Sequence, residues 1–255
     1  ANADVKRKAP RALFVFAGPP GVGKTFLAES AAAWLGRPFQ RFDMSTYSDH
    51  QASNELVGFA KSYQGAHPGT LTGFVEKNPD AVLLFDEIEK AHLNTIQLFL
   101  QILDAGVLFD KYNERNVAFR NTTVIFTTNA GRKLYARPNE SGVHQANASF
   151  HRKTILDALE NEKDSRTGQP FFPSAICSRM ATGYPMLFNH LRINELERVT
   201  RAELLRTASL FERQYFKRTS FHELLPMCLV LREGAKVDAR TLRSQAETFF
   251  KTEIF

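Results

Sequence analysis

Apolar and polar stretches alternate along the chain in a way that predicts strands and helices in turn. Leu13 to Ala17 is a short apolar run closed by Gly-Pro-Pro-Gly, which predicts a buried strand. Lys24 to Leu35 follows helical spacing, with Phe26, Leu27, Ala31 and Trp34 near one face. Phe39–Asp43 predicts a second strand, and the unbroken apolar run Ala81–Phe85 predicts a central strand of a parallel sheet. Asn94–Leu103 reads as a helix and Thr122–Thr127 as a further strand. Strands separated by helical segments define an α/β fold, a parallel sheet flanked by helices.

The pattern changes further on. Residues 132–172 contain Pro138, Gly142 and Gly168 and read as an irregular insertion with one helix near Lys153–Glu162. From Leu191 the spacing of Leu196, Val199, Leu205, Phe211 and Tyr215 is mostly helical. Met227–Leu231 predicts a short strand, and Ala239–Lys251 a last helix. The expected organisation is a basic linker over 1–11, a large α/β domain over 12–188 and a small, mostly helical domain over 189–255.

Composition narrows the class. A chain of 255 residues suits one large and one small domain and buries a core without covalent staples. Its two cysteines, Cys177 and Cys228, exclude a disulfide scaffold and fit a reducing compartment, here read as the cytoplasm. No apolar run approaches the roughly 18 residues of a membrane span, so no membrane partner is expected. The seven histidines show no metal-ligand spacing, and no structural metal is expected. A net charge of +6, with Lys6, Arg7, Lys8 and Arg11 near the start, keeps a nucleic-acid partner open as an alternative. Twenty-two phenylalanines point to aromatic packing.

The chemistry concentrates at three strand ends. Gly18-Pro19-Pro20-Gly21-Val22-Gly23-Lys24-Thr25 fits G-x-x-x-x-G-K-[ST], between a predicted strand and a predicted helix. Its glycines let consecutive N–H groups face phosphate oxygens, and the helix that follows presents its positive end to the same anion. Lys24 supplies a mobile cation for the β- and γ-phosphates, and the Thr25 hydroxyl is a Mg²⁺ ligand candidate. These eight residues and Phe26 form the candidate nucleotide-binding set. Asp86 and Glu87 follow the central strand, on the edge where the phosphate loop also lies. Asp86 would orient Mg²⁺, and Glu87 would polarise the attacking water. Asn129, after a third strand, would help to place that water.

These residues and their surroundings resemble the AAA+ ATPases of the Clp unfoldase and disaggregase branch, most of all the second ATPase module of the ClpB and ClpA type. Asp43-Met44-Ser45-Thr46-Tyr47 is similar to the branch's Asp-Met-Ser-Glu-Tyr, and Phe85-Asp-Glu-Ile-Glu-Lys-Ala-His92 to its Walker B segment. Leu98–Leu108 and Phe119–Asn129 extend the match, which covers about residues 12–130 well. The resemblance implies a P-loop NTPase sheet with a helical lid. It implies ATP and Mg²⁺ as cofactors, a homo-oligomeric, hexameric ring and a polypeptide substrate unfolded or remodelled through a central pore. Tyr63, in Ser62-Tyr63-Gln64-Gly65, stands where the branch carries its pore-loop aromatic. Arg179, in Phe172-Pro-Ser-Ala-Ile-Cys-Ser-Arg179, stands for the arginine finger, with Arg120 a second candidate facing a neighbour. Arg240, in Val237-Asp-Ala-Arg240, stands for the lid's sensor arginine, with Asp238 in place of a glycine. Ser141-Gly142-Val143 lacks the leading hydrophobe of a peptidase-docking loop, so a ClpP-type partner is not expected. The resemblance further implies that the chain is one motor module of a longer protein. A loader or helicase acting on DNA or RNA, and an ATP-gated assembly or adaptor domain, are the alternative functions.

Overall fold

A computed structural model of the protein describes residues 8–62, 64–135, 148–163, 168–216, 218–233 and 238–252. The chain divides into two units. The first runs to Gly18 and resumes over Lys24–Phe188, while the second comprises Pro19–Gly23 and Asn189–Phe255.

The first unit is built on five parallel strands in the order β2-β3-β6-β1-β7: β1 (Ala12–Ala17), β2 (Phe39–Asp43), β3 (Val82–Asp86), β6 (Thr123–Thr128) and β7 (Tyr184–Leu187). The intervening segments are α1 (Lys24–Trp34), α2 (Ser53–Val57), α3 (Thr70–Lys77), α4 (Leu93–Ala105), α5 (Arg132–Tyr135), α6 (Ala148–Asn161) and α7 (Ser174–Met180). A small antiparallel hairpin, β4 (Val107–Asp110) and β5 (Arg115–Ala118), follows α4. Every residue of β3 and β6 is buried, because helices cover both faces of the sheet. Side chains alternate along β3. Leu83 and Phe85 enter the larger core, while Val82 and Leu84 enter a smaller one with Phe16, Ala28, Ala32 and Ile125.

Phenylalanines fill much of the larger core. Phe85 packs against Phe42, Phe99 and Phe126, with ring centroids 5.3, 4.5 and 5.7 Å away. Such pairs add about 0.5–1.5 kcal/mol each beyond area burial. Phe249 packs at the margin of a core in the second unit. The side chains of Phe250 and Phe255 lie outside the described residues.

Among the described residues, the second unit carries three helices, α8 (Ile193–Tyr215), α9 (Leu225–Glu233) and α10 (Ala239–Thr252). Leu204, Ala208, Leu229 and Ala246 form one small core here, and Leu196, Val230 and Leu242 another.

At five places the structure corrects or extends the sequence reading. Met227–Leu231 is not a strand but lies inside α9. A short apolar run looks alike in either element, and Pro226 in the first turn decides for helix by presetting φ without a needed N–H. The apolar stripe of α1 faces outward: Phe26 and Trp34 are 53% and 87% exposed, while Ala28 and Ala32 are buried against the sheet. Small residues let the helix approach the strands closely, which the large ones would prevent. Tyr184–Leu187, given no element in the sequence reading, is an edge strand of the sheet. Its Pro185 is tolerated because an edge strand has one unpaired side. Within the stretch read as an irregular insertion, α6 places Ile155 and Leu159 in the main core, with Phe172 also buried there. In the segment read as a linker, Arg11 N–H already donates to the Thr122 carbonyl (2.9 Å), one residue ahead of β1.

Candidate functional site

Parallel pairing brings the carboxyl ends of three strands level. Ala17 pairs with Thr128, and Phe85 with Phe126, so the residues after β1, β3 and β6 emerge on one edge. The loop after β1 turns sharply. Gly18 has φ 152°, and a Cβ there would lie 2.2 Å from the Phe188 carbonyl oxygen. Gly23 has φ 95°, a conformation that side-chain-bearing residues rarely adopt.

Lys24 opens α1 and is only 7% exposed. Its Nζ donates to the Gly18 carbonyl at 2.7 Å and to Asn129 Oδ1 at 2.9 Å. The buried ammonium is thereby held across the loop mouth. Asn129 Nδ2 donates in turn to Glu87 Oε1 at 2.9 Å. Lys24, Asn129 and Glu87 thus form one chain of charge-assisted hydrogen bonds. The other Glu87 oxygen is paired with Lys90, and that bond pushes the Lys90 pKa up.

Glu87 has a left-handed backbone, φ 59° and ψ 52°, at the start of a tight turn over Ile88–Lys90. A non-glycine residue held there carries strain of about 1–3 kcal/mol, which clusters at functional sites. Its N–H donates to Thr127 Oγ1 at 3.0 Å, and the same hydroxyl donates to Asp86 Oδ1. Asp86 is 6% exposed and also accepts from Thr25 Oγ1, 3.2 Å from Oδ2. A hydroxyl beside a buried carboxylate is a hard-oxygen donor set, and these residues fit Mg²⁺. Arg41 of β2 also reaches Asp86, Nη2 to Oδ2 2.6 Å.

The structure therefore brings together Gly18, Lys24, Thr25, Asp86, Glu87 and Asn129. Phe26 is exposed on α1. Pro19, Pro20, Gly21, Val22 and Gly23 group with the second unit. Arg179, on α7, is paired with Asp104 of α4 rather than with any group around Lys24. Arg240 is exposed in the first turn of α10, where Asp238 Oδ1 accepts the Thr241 N–H at 2.8 Å and caps the helix. Tyr63 and Ser141-Gly142-Val143 lie outside the described residues. The neck of the Tyr63 loop is described. Gly58 and Pro68 form an antiparallel bridge, and Phe59 N–H donates to the His67 carbonyl at 3.0 Å.

Sequence reading missed Arg41, Thr127, Glu89, Lys90 and Tyr135. For Arg41 the signal was its place two residues before Asp43 on a strand next to β3. For Lys90 it was its place three residues after Glu87, while the links of Thr127, Glu89 and Tyr135 are tertiary and leave no spacing to find. No group of His, Cys, Asp and Glu among the described residues could hold a metal by itself. No helix among them is long and apolar enough to cross a membrane.

The family profile described as AAA domain (Cdc48 subfamily) matches residues 9–167. The ClpA homolog protein of Fuscovulum blasticum is 46% identical over 119 residues, 46% of this chain and 15% of that protein. Chaperone protein ClpB3, chloroplastic, of Arabidopsis thaliana is 36% identical over 156 residues, 60% of this chain and 16% of that protein. Heat shock protein 100 of Trypanosoma brucei brucei is 34% identical over 257 residues, 96% of this chain and 27% of that protein. The chain thus spans between 15% and 27% of the length of these relatives.

Proposed function

The chain belongs to the AAA domain (Cdc48 subfamily) and is of the Clp type within it, and from that premise we propose that it is an ATP-hydrolysing motor module that remodels or unfolds polypeptides. The observation that carries this reading is the hydrogen-bonded chain Lys24–Asn129–Glu87 beside the Thr25–Asp86 pair. Lys24 and the loop N–H groups bind the phosphates of ATP. Glu87 and Asn129 hold a water in line with the γ-phosphorus, and the Glu87 carboxylate takes its proton as the P–O bond to ADP breaks. Thr25 and Asp86 would hold Mg²⁺, which when bound neutralises phosphate charge.

A homo-oligomeric ring, hexameric in our reading, supplies what one chain does not. Arg179 would reach the nucleotide of the neighbouring subunit and offset charge in the transition state, and Arg240 would report nucleotide state to the lid. Tyr63 would grip the passing chain by packing against whatever side chain it meets. The relatives named as chaperone and heat shock proteins support a polypeptide substrate. The two free thiols, Cys177 and Cys228, suit a reducing compartment such as the cytoplasm.

The test uses two variants. Glu87→Gln keeps ATP binding and should lower turnover by roughly 10²–10⁴-fold while trapping the ATP-bound ring, read by light scattering. Tyr63→Ala should keep ATPase activity and lose substrate remodelling. Full remodelling by Tyr63→Ala would sink the threading mechanism, and full turnover by Glu87→Gln would sink the assignment of the base.

A further inference from the structure

The Asn129 side chain does its work only if its backbone is fixed, and the sheet does not fix it. Register pairing between β1 and β6 ends at Ala17 with Thr128, one residue earlier. Two contacts from outside the sheet take over. Asn129 N–H donates to Glu89 Oε1 at 3.0 Å, and the Asn129 carbonyl accepts the Tyr135 phenol O–H. The peptide groups on both sides of its Cα are thereby anchored.

We propose that Tyr135 is a positioning residue for Asn129, acting with Glu89 as a two-point backbone clamp that aims the Asn129 amide between Lys24 and Glu87. This inference rests on the reading of Asn129 as the residue that helps to place the attacking water. Tyr135 ends α5 and is 7% exposed, so its ring has one packing position. Burial, helped by the nearby Glu162 and Glu89 carboxylates and opposed by Arg132, pushes its pKa up to about 12. The phenol therefore remains a donor. The second oxygen of Glu89 is buried as well. Burial pushes the Glu89 pKa up, against the Asn129 N–H and Thr128 hydrogen bonds that lower it.

Displacing a reacting-site group by about 1 Å can cost as much as 10²-fold in rate. Tyr135→Phe, which keeps the ring and deletes one oxygen, should lower kcat roughly 10-fold and leave ATP affinity within about 2-fold, the split expected of a group that acts only in the transition state. In the nucleotide-free chain, amide hydrogen exchange at Asn129 should accelerate by about 10-fold while the rest of β6 keeps its protection. Glu89→Leu should match both effects, and Glu89→Gln, which retains an acceptor, should recover most of the rate. Unaltered kcat and exchange in Tyr135→Phe would overturn the proposal. So would a parallel loss of affinity, rate and global protection, which would mean a merely structural tyrosine. Asn129→Ala separates the two levels of failure. If it is inactive while Tyr135→Phe is unaltered, only the clamp falls. If it retains full kcat, the reading of Asn129 falls as well.

Discussion

Arg179 forms a two-point ion pair with Asp104 of its own chain: Nε meets Oδ1, and Nη2 lies 3.0 Å from Oδ2. The pair joins α7 to α4 and lies at the surface, with side chains 39% and 46% exposed. Asp104 raises the Arg179 pKa still further, so the guanidinium is a permanent cation. Exposure to water and salt screens even a two-point pair of this kind, so it can exchange for another partner. An arginine that serves a neighbouring subunit must leave such a partner to do so.

This gives the first prediction. Arg179→Ala should lower assembled-ring ATPase by about 10³-fold or more, the usual worth of an arginine finger, with ATP binding retained. Asp104→Asn should leave folding intact and raise ring ATPase up to a few-fold, because the guanidinium is no longer held at home. Steady-state ATPase against protein concentration checks both. A lower rate in Asp104→Asn would show that Asp104 assists Arg179 rather than competing for it.

A second prediction concerns the aromatic core. Phe85 is fully buried among Phe42, Phe99 and Phe126. Phe85→Ala should destabilise the α/β unit by about 3–5 kcal/mol, the sum of lost transfer energy and an unfilled cavity. Phe85→Leu should cost markedly less. Urea unfolding followed by near-ultraviolet circular dichroism reads the change. A shift below about 1 kcal/mol for the alanine variant would mean that the neighbouring rings collapse into the gap.

The third prediction separates the two cysteines. Burial pushes the Cys177 thiol up from its ordinary 9.0 to about 11, with the Glu160 carboxylate adding to the shift. Cys228 is exposed. At pH 8 a thiol reagent should modify Cys228 rapidly and Cys177 only after unfolding. The sign for stability follows from proton binding. Between about pH 9 and 11 the unfolded thiol ionises first and the folded one holds its proton. This contribution is therefore complete below pH 9 and is lost as pH rises toward 11. Cys177→Ser should flatten that part of the stability profile.

Some of this was legible in the sequence and some was not, for physical reasons. The phosphate loop and the Asp86-Glu87 pair announce themselves because their chemistry needs fixed residue types at fixed local spacing. The parallel sheet was visible because strands buried on both faces, such as Val82–Asp86, must be apolar throughout. Tyr184–Leu187 stayed hidden, since an edge strand containing a proline carries no such run. Tyr135 and Glu89 reach Asn129 only through folded space, and a tyrosine six residues downstream of an asparagine has no pattern of its own. The buried face of α1 was not legible because amphipathic periodicity marks where apolar residues lie, while close helix–sheet packing selects for small ones.

The strand order has a consequence for biosynthesis. β1 ends at Ala17 yet is flanked by β6 and β7, the latter finished only at Leu187. At a synthesis rate of 5–20 residues per second, the first strand emerges on the order of ten seconds or more before its second neighbour exists. For that interval an apolar segment with unpaired edges is available to any other nascent chain. Sequence-distant pairing also slows folding once the polypeptide is complete. The segment is thus exposed, while the rest of the domain is being made, to the mispairing that open strand edges invite.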